Sequence, residues 1–279
     1  MSSPESESGI KYDTVIDVRV MDNSHSQMID AINFGSRVLD VGCASGVVGA
    51  HLHREMQCTV VGIDNDEKLL RIAKASKAYE SLHHLDLEKA GALDEISENF
   101  DYVLLGDIVE HLRHPTLLIE RLIPLVAVGG TFLISIPNVT HGSIKLGLLL
   151  NQFEYADEGI LDRTHLRFFT AASAYDFVQN CGLEVTKFSR VFAPIYQQNR
   201  GESFLKLPRA IRRYVESDTE SWVFQYVLSA LPRVADDACG EDLYSKITPD
   251  ESEIDRLRKL KFRWARQVLM SKLLAFREK

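Results

Sequence analysis

The four cysteines, Cys43, Cys58, Cys181 and Cys239, are scattered and form no C-x-x-C pair. That argues against a zinc site or a disulfide framework and suits a reducing compartment. No apolar run is long enough to cross a bilayer. The polar, acidic N-terminus lacks the apolar core of a signal peptide. A soluble cytoplasmic protein without a transmembrane segment is therefore expected. Basic charge is also in deficit: 32 Lys and Arg face 40 Asp and Glu, for a net charge of −8. A general nucleic-acid binder carries a basic surface, so no nucleic-acid partner is expected. No internal repeat or low-complexity linker divides the chain.

The 279 residues, 45% of them hydrophobic, permit one large α/β domain, or one domain with an appendage, around a sizeable core. The stretch Val38-Leu39-Asp40-Val41-Gly42-Cys43-Ala44-Ser45-Gly46 reads as a buried strand entering a glycine turn, with a helix over Val47–Met56. That is the first half of a βαβ nucleotide site. A dinucleotide fingerprint fails here: with Gly42 as its first glycine, Ala44 and Val47 fall at the second and third. A P-loop is absent as well. Asp40, inside the strand end, disfavours an anionic pyrophosphate and suits a cationic ligand.

Further strands are read at Thr59–Asp64, at a short segment ending in His84-Leu85-Asp86-Leu87, at Phe100–Asp107, Thr131–Pro137, Leu183–Val191 and Trp222–Leu231. Helices are read from Asn23 or Ser24 to Ile32, over Glu67–Ala78, from His114-Pro115 to Val128 with Gly129-Gly130 as the stop, and over Ala171–Cys181 behind a Thr170 cap. Pro194–Ser221 is expected to be helical. Met1–Gly9 reads as a disordered tail and Tyr12–Val20 as a short extended segment.

Val38 to Gly46 resembles motif I of the class I S-adenosylmethionine-dependent methyltransferases, with Ala44 where the usual form has Gly. The later landmarks follow in order over residues 35–190. The Asp162–Thr170 pattern further resembles bacterial methyltransferases linked to glycan and surface-polysaccharide genes, or natural-product pathways. The resemblance implies a Rossmann-like seven-stranded α/β fold with the last strand antiparallel. It implies S-adenosylmethionine held by Asp40, Gly42, Cys43, Ala44 and Gly46 of the turn, by Asp64 and Asn65, by Asp86 and Leu87, and by Gly106 and Asp107. In that set Asp64 takes the ribose hydroxyls, Asp86 the adenine amino group, and Gly106 and Asp107 lie beside the methionyl part and the sulfonium. Asp66 is the better placed cap for the helix that follows. The expected organisation is an N-terminal segment and covering helix (1–34), a methyltransferase domain (35–235) and a C-terminal helical extension (236–279).

Residues 138–170 leave the ligand end of the fifth strand and are too long for a simple connection, which reads as a lid or substrate wall. If a hydroxyl is methylated, a base must take its proton. Three histidines are candidates, His111, His141 and His165, and His165, three residues after Asp162 and oriented by it, comes first. Arg163 and Arg167 flank His165 and suit a carboxylate, phosphate or sugar hydroxyl. Asp107-x-x-Glu110-His111 resembles the E-x-x-E-H element of some metal-assisted O-methyltransferases, and with His141 the resemblance implies a divalent metal such as Mg²⁺ or Mn²⁺. The expected acceptor is a hydroxyl of a sugar, glycan, or glycosylated or polyketide-like small molecule. The alternatives are a carboxylate, an amine, a quinone-type phenol, or a non-catalytic subunit that binds a partner. Pro249–Glu278 reads as one long amphipathic helix, docked on its own domain in preference to mediating a homodimer.

Overall fold

The structure is a computed structural model and describes residues 23–97, 99–196, 204–233 and 247–277. The N-terminal tail, the Tyr12–Val20 segment and Cys239 lie outside the described residues.

Seven strands form one sheet: β1 (Arg37–Val41), β2 (Thr59–Asp64), β3 (Tyr79–His84), β4 (Phe100–Gly106), β5 (Val126–Pro137), β6 (Leu183–Phe192) and β7 (Val223–Pro232). Their order is β3-β2-β1-β4-β5-β7-β6. β7 runs antiparallel to both neighbours, and the other pairings are parallel. From β1 the chain steps outward to β2 and β3, then returns to β4 on β1's other side. This reversal opens a crevice at the carboxyl ends of β1 and β4, where ligands of such sheets bind. Val38, Leu39 and Val41 are buried, as are Val60, Val61 and Ile63 of β2 and Val103, Leu104 and Leu105 of β4. Strands covered on both faces need such near-continuous apolar runs.

The helices are α1 (Ser24–Ile29), α2 (Val47–Met56), α3 (Glu67–Ala75), α4 (Pro115–Leu122), α5 (Gly142–Leu149), α6 (Ala171–Asn180), α7 (Arg209–Ser217) and α8 (Glu251–Arg277). Their starts follow side-chain chemistry. Asn23 caps α1, Asp66 caps α3 through the N–H groups of Lys68 and Leu69, and Thr170 and Ser173 form a capping box on α6. Each supplies an acceptor to an otherwise unpaired helical N–H.

The helix expected to reach Val128 ends at Leu122 and passes through a 3₁₀ turn, Ile123–Leu125, into β5. Pro124 has no N–H to continue the helix, and Val126 pairs with Phe100. The pairing resumes only at Tyr102 with Thr131, so Gly129-Gly130 belong to a bulge within β5. A Cβ on Gly130 would lie 2.8 Å from the Phe100 carbonyl oxygen, so the close approach of β4 requires glycine there. The third strand also ends earlier than read, at His84, leaving Asp86 and Leu87 in the turn beyond it.

α8 starts at Asp250, whose Oδ1 accepts from the Glu253 N–H at 2.8 Å. Its first turns are docked on the domain. Glu253 and Leu257 are buried, and Trp264 stacks on Tyr196 with ring centroids 5.3 Å apart. The Arg190 side chain of β6, 1% exposed, donates to Glu253 at 3.0 Å, to Glu220 at 2.8 Å and to the Ile247 carbonyl. Phe262, on another face of α8, is 71% exposed. Among the described residues no helix is long and apolar enough to cross a membrane.

Candidate active site

The turn between β1 and α2 is shaped by backbone geometry that needs glycine at two points. Gly42 has φ +76°, and a Cβ there would lie 2.1 Å from Ile108 Cδ1; Gly46 has φ +82°, with Ala73 Cβ 2.8 Å away. Ala44, where the resembling motif carries glycine, adopts φ +47°. Its N–H donates to Asp64 Oδ2 at 2.8 Å, a bond that helps hold this disfavoured conformation. The N–H groups of Gly42 and Cys43 both donate to the Ile63 carbonyl, at 2.7 and 2.9 Å.

Asp64, at the end of β2, also accepts from the Asp66 N–H through Oδ1 at 2.8 Å. A carboxylate offers about four acceptor positions, so each oxygen keeps capacity for a ligand hydroxyl. Asp40 is buried in β1 and accepts from the Tyr79 hydroxyl at 2.7 Å. Burial raises its carboxyl to about 6, with the Tyr79 bond opposing that rise and Asp64 adding to it. Tyr79 reaches Asp40 because residue 49 is glycine: a Cβ there would lie 2.2 Å from the Tyr79 hydroxyl. Burial, with the two acids, also keeps the Cys43 thiol protonated. Two carboxyl groups flanking a turn of backbone N–H groups suit a ligand that is cationic and rich in hydroxyls. The residues present therefore fit S-adenosylmethionine.

The other expected cofactor residues are distributed around this turn. The Asn65 carbonyl pairs with His84 Nε2 at 3.0 Å. Asp86 is exposed and accepts from the Glu88 N–H at 3.1 Å, while Leu87 packs on the core. Gly106 ends β4 under α1, with Met28 Cε 3.2 Å from where a Cβ would be. Asp107 has φ +54°. Its N–H donates to Ser135 Oγ, and its Oδ1 accepts from Ser135 Oγ at 2.7 Å and Gln225 Nε2 at 2.8 Å.

The two ends of the 138–170 insertion are pinned together, Asn138 bridging to Phe169. Buried Asn138 donates to the Val223 and Glu220 carbonyls and accepts from Thr140. Further along, the N–H groups of Leu166 and Arg167 donate to the Glu110 carbonyl at 2.8 and 3.2 Å. This clasp sets His165 beside the 3₁₀ turn Val109–His111, with the His111 and His165 ring centroids 4.6 Å apart. One donor atom from each of Glu110, His111 and His165 lies within 4.8 Å of the others.

Both imidazoles are oriented from behind. His165 Nδ1 lies 3.0 Å from the Ile160 carbonyl, so that nitrogen carries the proton and Nε2 keeps a lone pair. The Thr164 hydroxyl donates to Asp162 Oδ1 at 2.6 Å, and its oxygen faces His111 Nδ1 at 3.0 Å. His111 thus donates from Nδ1 and also keeps an Nε2 lone pair. Burial and His165 lower the pKa of His111. Glu110 is 1% exposed, and neither carboxyl oxygen has a hydrogen-bond partner among the described residues. Burial, then the charges of Asp107 and Asp162, push its carboxyl well above the ordinary range.

The sequence reading paired Asp162 with His165. The structure gives the His165 ring to the Ile160 carbonyl, while Asp162 Oδ1 serves Thr164 and, through it, His111. His141 stands apart from the cluster as the cap of α5. Its Nδ1 faces Ser143 at 2.8 Å and its Nε2 the Ala193 carbonyl at 3.3 Å, and burial lowers its pKa to about 4. The metal set of Asp107, Glu110, His111 and His141 is therefore not assembled. Arg163 pairs with Asp157 at the surface, and Arg167 donates to the Leu112 and Arg113 carbonyls. Tyr79, Thr164 and Gln225 were missed: each acts on a site residue, and only Thr164 is its near neighbour in sequence.

The sequence model of a family described as a methyltransferase domain matches residues 17–187. The mitochondrial ubiquinone biosynthesis O-methyltransferase of Mus musculus is 31% identical over 120 residues, 41% of this chain and 32% of that protein. The ubiquinone biosynthesis O-methyltransferase of Dinoroseobacter shibae is 31% identical over 169 residues, 59% of this chain and 66% of that protein. The chain thus spans between a third and two thirds of these curated relatives. Among solved structures, an S-adenosylmethionine-dependent methyltransferase of Thermotoga maritima superposes with a TM-score of 0.53 at 12% identity. That match covers 77% of this chain and 91% of the other, a likeness of fold.

Proposed function

Because the chain belongs to the class I S-adenosylmethionine-dependent methyltransferases, we propose that its acceptor is the hydroxyl of a quinone-type phenol, methylated beside His111 and His165. The observation that carries this reading is the pair of imidazoles whose Nε2 lone pairs remain available once their Nδ1 protons are tied back. When bound, S-adenosylmethionine supplies an already activated methyl group. The chain's own part is to align the acceptor oxygen with that methyl and to receive the hydroxyl proton. His165 Nε2 is the proposed proton acceptor, held by the Ile160 carbonyl, and the insertion is the wall that delivers it.

Two further features support a flat, apolar acceptor. From His165 a row of rings leads outward through Phe168 and Phe153 to Tyr155, at centroid separations of 6.4, 6.0 and 5.6 Å. These rings already pack edge-to-face, and their outer faces offer an aromatic surface for a further ring to lie against. The named relatives are ubiquinone biosynthesis O-methyltransferases, which favours the phenol over the sugar or glycan hydroxyl expected from the Asp162–Thr170 pattern.

The test is methyl transfer by the purified protein, followed by product mass. The three probes are a catechol, a free hexose and an aryl carboxylate lacking hydroxyls. The catechol is expected to gain the methyl group, and His165→Ala to slow that step by about 10²–10⁴-fold with cofactor affinity retained. Transfer to the hexose or the carboxylate alone would overturn the phenol. Full-speed transfer by His165→Ala would overturn the base.

A further inference from the structure

We propose that the C-terminal half of α8 is a peripheral docking helix that lies on an anionic lipid surface. The family model ends at residue 187, so α8 lies outside the matched domain. The root of the helix is packed on its own chain. Glu253, Leu257, Leu260 and Trp264 form the docked stripe. Glu253 meets Arg190, the Arg256 guanidinium lies over Phe192, and Trp264 stacks on Tyr196. α8 thus follows β6 toward its carboxyl end, the ligand end of the sheet.

Beyond this root the pattern changes. Ala265, Arg266, Gln267 and Met270 are all exposed, as is Phe262 just before them. The docked stripe continues into Gln267 and Ser271, which offer little apolar surface to bury. The apolar residues move to another stripe: at 3.6 residues per turn, Leu269, Leu273 and Phe276 fall in line with Phe262. Charge then decides what covers that stripe. From Arg256 to Arg277 the chain carries eight Lys and Arg and no Asp or Glu, in a protein of net charge −8. Cations near the root are matched within the chain. Lys259 pairs with Asp255 at 2.8 Å, and Lys261 lies over Trp222 and donates to the Glu216 carbonyl at 3.1 Å. Further out, Arg263 and Arg266 are exposed and enter no ion pair among the described residues.

An apolar stripe of Phe and Leu bordered by Lys and Arg, with no acid, is the pattern of a helix that lies in the plane of a lipid–water interface. The apolar side chains enter the acyl boundary. The cations meet the headgroups, whose negative surface potential attracts them, and their long stems reach back from the apolar stripe to the charge. Such a helix lies on the membrane and does not cross it, in keeping with the absence of a long enough apolar helix among the described residues. A second copy of α8 is a poor occupant, because pairing would bring two uniformly basic segments together. Nucleic acid is opposed by the acid excess of the rest of the chain. None of this depends on the methyl acceptor.

The experiment floats untagged full-length protein with phosphatidylcholine vesicles, either plain or carrying about 30 mol% phosphatidylserine. Binding to the anionic vesicles is expected to be tighter by about tenfold or more than to the plain ones. Raising the salt to about 0.5 M should weaken it by a similar factor, since screening shortens the reach of the headgroup charge. Arg263→Glu combined with Arg266→Glu should lower the anionic affinity by about tenfold or more, and Phe262→Ser by roughly threefold to tenfold. All three side chains are exposed, so the fold should survive. Far-UV circular dichroism and calorimetric titration with S-adenosylmethionine check that it does. Equal binding to both kinds of vesicle, or to neither, would overturn the proposal. So would unchanged binding in folded variants. A dimer in sedimentation equilibrium that Phe262→Ser dissociates, with no vesicle binding, would overturn it in favour of a second copy.

Discussion

Asp40 is a buried acid whose charge state bears on the stability of the fold and on the proposed cationic ligand. Its carboxyl, ordinarily near 3.8, is raised to about 6 by burial. Between those values the folded protein holds a proton that the unfolded chain has released, so stability falls as pH rises through that window. At pH 4 the penalty is small, and above about pH 6 it is fully present. A shift of this size corresponds to about 3 kcal/mol at most. Asp40→Asn keeps an acceptor for the Tyr79 hydroxyl and removes the charge. Urea unfolding of both proteins from pH 4 to 8 should therefore give similar stabilities at the acid end and a more stable variant above pH 6. An offset that stays constant across the range would show that Asp40 is not the titrating group. Cofactor binding should move the other way, because a cationic ligand favours the ionised form. On the proposed reading, the acid that burdens the fold alone becomes an asset once the cation is bound.

At the scale of elements, the C-terminal helix is held by one buried ionic clasp. The Arg190 guanidinium meets Glu253, Glu220 and the Ile247 carbonyl, and the Arg190 N–H donates to Glu253 as well. Burial holds the Glu253 carboxyl above its usual range despite the attraction of Arg190. Removing one partner from such a group leaves uncompensated buried charge, at a cost of about 3–5 kcal/mol. Arg190→Met is accordingly expected to lower stability by that amount and to speed proteolysis within α8. A loss confined to a few tenths of a kcal/mol would mean that Trp264 and Leu257 dock the helix unaided. The helix and its amphipathic pattern were legible in the sequence, as were Asp66 and Thr170 as caps, because these are local signals. The end of α4 was misread, since Gly129-Gly130 also punctuate a strand, and only the pairing of Val126 with Phe100 decides between the two. Arg190 was not legible at all: Glu253 lies 63 residues away, and nothing near either residue in the chain announces the other.

Across the whole molecule, the two halves of the site differ in how they are encoded. The proposed cofactor half lies within two consecutive βα units, Asp40–Gly46 and Asp64–Asp66, whose strands, turn and helix cap are local signals. The proposed acceptor half is assembled from a 3₁₀ turn after β4 and a return segment over fifty residues later. Spacing suggested that Asp162 orients His165; the Asp162 carbonyl accepts from the His165 N–H at 3.0 Å, while its Oδ1 accepts from Thr164 and the His165 ring stands beside Glu110 and His111. The halves meet at the end of β4, where Ile108 packs against Gly42 and Asp107 is tied to β5 and β7. Cofactor and acceptor are thus proposed to meet different residues, and binding of the first should be separable by mutation from methyl transfer to the second. A ligand that binds only the folded state stabilises it by about 2.7 kcal/mol at a hundredfold excess over its Kd. Wild-type protein should show that gain on saturation with S-adenosylmethionine. Asp64→Ala, lacking the acceptor that also holds the Ala44 N–H, should lose most of it. His165→Ala should keep the cofactor gain while methyl transfer slows. The comparison is made by thermal unfolding with and without cofactor, beside single-turnover methyl transfer. If His165→Ala also abolished the cofactor gain, the turn and the histidine cluster would form one cooperative unit, and the division of the site at β4 would be wrong.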